Sequence, residues 1–75
     1  MHSFYIVGHI KRHEPAAFLA QVGAIPVGSV SGRAVEEIGE TASTLLQAKE
    51  ALKRLAIVMG AKIRARGGSI YDVDM

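Results

Sequence analysis

The stretch "KIRARGGSIYDVDM" (62–75) places a base at every second position, Lys62, Arg64 and Arg66, before a Gly-Gly-Ser triplet and a second alternating run. Alternation of this kind is the period of a strand, in which successive side chains point to opposite faces. A three-residue turn at Gly67-Gly68-Ser69 sets Arg64 opposite Asp72 and Lys62 opposite Asp74, with Arg66 facing Ile70. Ile63, Ala65, Tyr71, Val73 and Met75 then share an apolar face. The stretch therefore predicts a charge-matched hairpin, each crossed pair contributing roughly 0.2–1 kcal/mol.

Upstream, "TASTLLQAKEALKRLAIVMG" (41–60) has helical spacing: Leu45, Ala48, Leu52, Leu55, Ala56 and Met59 form one apolar stripe. Thr41 is the expected cap and Gly60 the expected terminator, with Glu50 and Arg54 at i,i+4. Leu46, Ile57 and Val58 lie off the stripe and are expected to form an oligomer interface. "SFYIVGHIK" (3–11) is rich in aromatic and branched residues and predicts a strand. "HEPAAFLAQVG" predicts a short helix, with Pro15 in its first turn, Ala16 to Val22 propagating it and Gly23 ending it. The valines of "AIPVGSVSGRAVEE" predict a strand over 26–34, bent at its glycines. The order is then β-α-β-α-β-β: a small α+β two-layer sandwich, mostly antiparallel, with the long helix (41–59) on one face.

Seventy-five residues, 49% of them apolar, make one domain (1–75) with a thin core. The chain has no cysteine, which excludes disulfides and thiolate metal sites, so subunit association is the expected extra source of stability. The uncharged run 15–32 is broken by Pro26 and by glycines, and begins too far from Met1 for a secretory signal. No membrane segment is expected, and the reading is a soluble, cytoplasmic protein.

Among candidate sites, His9 and His13 are four apart. In a strand that spacing is about 13 Å, too far for two ligands of one ion, so no metal and no cofactor is expected. "GSVSG" (28–32) has Val30 where a nucleophile elbow needs serine. Gly28, Ser29, Ser31, Gly32 and Arg33 suit at most a loose anion-binding concavity. Lys49, Lys53, Arg54, Lys62, Arg64 and Arg66 form a basic set that would contact nucleic acid if exposed and unpaired. Aromatic platforms for stacking bases are few, and the net charge is only +2. The acids form no acid–base constellation, so catalysis is not expected.

"VGSVSGRAV" followed by "AKEALKRLAIVMGAKI" resembles the β–α–β core of the bacterial heavy-metal-binding-domain (YbjQ-like) family. "ALKRLAIVMGAK" is also similar to the YdgH/BhsA/McbA-like stress domains. The likeness spans about half the chain and departs from the YbjQ-like pattern at Lys62, where that family has asparagine. The resemblance implies an assembling β–α–β unit, pentameric in the YbjQ-like case, and carries over no catalytic or metal-binding residue. The functional expectation is a non-enzymatic, self-associating domain that binds a protein partner or small ligand. Its alternative is a small nucleic-acid-binding protein using the 49–66 basic set.

Overall fold

The computed structural model describes residues 2–75. Four strands and one helix follow in the order β1 (Ser3–Glu14), β2 (Ala17–Pro26), β3 (Glu36–Ala42), α1 (Leu45–Ala65) and β4 (Ser69–Asp74). The sheet order is β3-β2-β1-β4. The first three strands form an antiparallel meander, and β4 returns along β1 in parallel. The α+β class and the long helix on one face of the sheet are as expected, but the element order is not.

Residues 15–23 are not a helix. Pro15 and Ala16 are the turn of a β1–β2 hairpin, in which Glu14 faces Ala17 and Tyr5 faces Ile25. Pro15 suits a turn as well as it suits a first helical turn, because its ring presets φ near −65°. Ala20, Val22 and Ala24 are buried on one side of β2, an alternation with period two. Of the three alanines that suggested a helix, Ala16, Ala17 and Ala20, only Ala20 lies in the core beneath α1, where with Ala24 it lets the helix approach the sheet closely.

Residues 27–35 are a loop, not a strand. Two glycines in left-handed conformation, Gly28 (φ 84°) and Gly32 (φ 67°), turn it. Its ends are tied by Val27 N–H to the Ser3 carbonyl (2.9 Å) and Val35 N–H to the Ala24 carbonyl (2.8 Å). The strand lies later, in "EEIGETA" (36–42).

α1 begins at Leu45, with Thr44 rather than Thr41 as its cap. Thr44 Oγ1 accepts from Gln47 N–H (3.1 Å), and Gln47 Oε1 accepts from Ser43 N–H (3.2 Å), a reciprocal cap. The helix continues through Gly60 to Ala65, so Lys62, Arg64 and Arg66 belong to its end and not to a strand. Ile63 is buried one turn after Met59, which keeps the stripe in phase past the glycine. The helix ends with Gly67 (φ 83°), whose N–H reaches the Arg64 carbonyl, while Gly68 N–H reaches the Ile63 carbonyl. Gly60 serves close packing: a Cβ there would lie 3.0 Å from Ile70 Cδ1.

The predicted hairpin pairs therefore do not form, since β4 pairs with β1 and not with 62–66. Ser3 and Ser69, 66 positions apart, share a hydroxyl hydrogen bond of 3.0 Å across this junction. Register slips between Phe4 and Tyr5, where Tyr71 and Asp72 together occupy the space beside Tyr5. Such a bulge inverts the alternation beyond it. Ile70, Val73 and Met75 thus face the helix, and Tyr71 stands on the opposite face, 5.3 Å edge-on from Tyr5. The core between the layers consists of Ile6, Ala20, Val22, Ala24, Ala51, Leu52, Met59 and Ile63.

Candidate binding surfaces

The six bases of the predicted set divide by helical position. Arg54 Nη2 meets Glu40 Oε2 at 2.6 Å, and Lys62 Nζ and Arg66 Nη2 meet the two oxygens of Glu36 at 3.0 and 2.6 Å. Both acids stand on β3, opposite Ala20 and Ala24 of β2, on the face that α1 covers. These pairs replace the expected Glu50–Arg54, Arg64–Asp72 and Lys62–Asp74 pairs. The Lys62 hydrogen bond holds the Glu36 carboxyl below the ordinary glutamate range; slight burial opposes it and the Arg66 charge adds to it.

Lys49, Lys53 and Arg64 lie on the other flank of α1, towards β4, and among the described residues no acid lies within ion-pair distance of them. Leu46 and Ile57, of the predicted oligomer interface, are on this flank as well, 68% and 73% exposed. Val58 is one residue, about 100°, further round the helix and sits between Arg54 and Lys62 on the β3 side. The structure thus brings Leu46 and Ile57 together with three of the bases, and separates Val58 from them.

Below that flank run two shallow grooves. One, of about 550 Å³, is lined by Gly8, Ile10, Leu46, Lys49, Leu52, Lys53 and Met75, with His9 and Glu50 at its margin. The other lies between Ile57, Gly60 and Arg64 of the helix and Ile70 and Val73 of β4. A more enclosed pocket at the opposite end of the core is lined mainly by Phe4, Ala24, Val35 and Ile63, with the Glu36–Arg66 pair at its side.

Among the described residues no helix or strand covers the second face of the sheet; only Ala34 of the 27–35 loop lies over it, at Gly23. The strand registers set its side chains in rows: Ile25–Tyr5–Asp72, then Glu37–Gly23–Val7–Asp74, then Gly39–Gln21–His9, then Thr41–Leu19–Lys11. Acids occupy one end, His9 and Lys11 the other, and apolar side chains the ground between. Sequence reasoning missed this face because it assigned β2 to a helix and 62–66 to a strand.

The remaining candidates are more self-contained. His9 Nε2 is 3.1 Å from Gln21 Oε1, and His13 lies four residues along the same strand. The described residues include no group of three or more His, Asp or Glu placed to hold a metal ion. In the 28–32 loop, the Gly32 and Arg33 N–H groups donate to Ser29 Oγ and Ser31 Oγ, both at 3.2 Å, so the loop satisfies two donors an anion would use. No described helix is long and apolar enough to cross a membrane.

No protein-family model matches the chain, and comparison with curated proteins and with solved structures finds none that matches.

Proposed function

We propose that the chain is a non-enzymatic domain that self-associates by packing two copies sheet to sheet, and that acts by binding a further partner. The observation that carries this reading is the polarity of the bare sheet face. A two-fold antiparallel packing lays Glu37, Asp72 and Asp74 of one copy over His9 and Lys11 of the other, and buries Tyr5, Val7, Leu19 and Ile25 between them. Gly39, which is exposed on β3, leaves part of the face low enough for close approach.

The dimensions support the same reading. The accessible surface is 4926 Å², whereas a folded monomer of this mass exposes about 4,450 Å². The radius of gyration is 12.7 Å, against about 11.4 Å for a compact chain of this length. One helix on one face of a four-stranded sheet leaves too much outside, and a second copy is the economical cover.

Sedimentation velocity across a concentration series tests this. The expected result is a dimer that Val7→Lys dissociates and Ile57→Asp leaves intact. A strict monomer at high concentration, or dissociation by Ile57→Asp in place of Val7→Lys, overturns the sheet-to-sheet reading.

A further inference from the structure

The flank of α1 towards β4 differs from the sheet face in carrying almost one sign of charge. Leu46, Lys49, Lys53, Ile57, Gly60 and Arg64 recur at spacings of three, four, four, three and four, so they form one line along the helix. From Leu46 to Arg64 the line runs about 27 Å at ~1.5 Å per residue. Its floor is apolar: Leu52 and Met75 under one end, Ile70 and Val73 under the other. Its three bases have no acid within ion-pair distance among the described residues, although the same helix pairs three bases on its other side.

We propose that this line is a docking site for an acidic, apolar-faced segment of a partner protein. Charge decides the occupant. A second copy laid antiparallel on the line would set Lys53 against Ile57 and Arg64 against Leu46 of its mate, gathering six bases along one seam with the Glu50 of each copy as the sole nearby acid. Like charges gathered at an interface cost affinity, and one Glu50 against three bases in each copy does not offset them. A segment whose apolar residues recur at i, i+3, i+4 and i+7 would fill the floor and cover Ile57, and its flanking carboxylates would meet Lys49, Lys53 and Arg64. The line is as long as about 18 residues of such a helix. Nucleic acid shares the attraction to the bases but has no use for the exposed leucine and isoleucine between them.

The site is independent of the sheet face, so each can fail alone. The test titrates the full chain with a fluorescent 18-residue helical peptide bearing leucines at that spacing and glutamates elsewhere, its lysine-for-glutamate counterpart, and a single-stranded and a duplex oligonucleotide. Anisotropy is read across a salt series. The acidic peptide is expected to bind with salt-sensitive affinity. Lys49→Glu with Lys53→Glu, and separately Ile57→Asp, should each weaken it at least tenfold, while Arg54→Ala on the opposite flank leaves it unchanged. Circular dichroism of each variant checks folding, and all these positions are exposed. The proposal is overturned by an acidic peptide that binds no better than its basic counterpart, by equal loss with Arg54→Ala, or by oligonucleotide that binds more tightly than peptide. A dimer that Ile57→Asp dissociates also overturns it, because a second copy then occupies the line.

Discussion

The two flanks of α1 meet the same sheet by different means. On the β3 side, Arg54, Lys62 and Arg66 reach across to Glu40 and Glu36, and the strand edge beneath is acidic and strapped. On the β4 side the helix comes down through Gly60 onto Ile70, with no ion pair among the described residues, and leaves Lys49, Lys53 and Arg64 facing outward. One helix thus spends its bases structurally on one flank and leaves them available on the other. Charge in a sequence is not a count of free charge: half of an apparent phosphate-binding set is internal strapping. The straps also blunt β3 as a sheet edge, since a neighbouring strand would meet carboxylates already engaged by the helix.

The contrast can be broken from its centre outward. Met59 is wholly buried beneath both flanks, and Met59→Ala should cost about 2–5 kcal/mol, read as a lowered denaturant midpoint with both flanks loosened together. Gly60→Leu acts on the β4 flank alone. Its Cβ would stand 3.0 Å from Ile70 Cδ1, and overpacking there should cost about 1–3 kcal/mol at any ionic strength. A loss that fades with added salt would show that close packing is not what holds this flank.

Glu36→Gln should have a smaller effect, confined to the β3 side and diminishing as salt is added. Its pH signature is specific. Because the folded carboxyl is held below its unfolded value, Glu36 contributes stability above the ordinary glutamate range and loses it as pH falls through the depressed folded value. Denaturation curves over an acid series should show that limb in the native chain and a weaker one in the variant. Smallest of all, Lys49→Ala with Lys53→Ala should change stability by no more than about 0.5 kcal/mol. A larger loss would mean that these bases are structural after all and would erase the difference between the flanks.

How much of this was legible beforehand depends on which residues are asked. The apolar stripe of α1 and the branched run of β1 announce themselves by periodicity. β2 does not, because Ala16, Ala17 and Ala20 read as helix formers although the role of Ala20 is to lie flat beneath a helix. The comb of Lys62, Arg64 and Arg66 alternates like a strand, yet a helix also places i and i+4 on one flank, and Glu36 takes Lys62 and Arg66 together. Local pattern could not choose between them. The choice rested on a strand twenty-six residues away from Lys62. Gly60 looked like a stop and proved to be a gap left for Ile70, visible only once β4 is known to lie beside the helix. The association surfaces inherit these errors: the bare sheet face cannot be seen until β2 is a strand, whereas Leu46 and Ile57 stood out from the start as more apolar surface than one layer contact needs.

The pairing of β1 with β4 also has a consequence in time. The meander closes through short connections within the first 42 residues, but Ser69 must find Ser3 across 66 positions. Distant pairings are entropically delayed until the intervening chain is ordered, and parallel ones form slowly. β4 is therefore expected to pair last, seated on a helix that has already settled onto the meander, and hydrogen exchange should find its amides among the first to exchange with solvent.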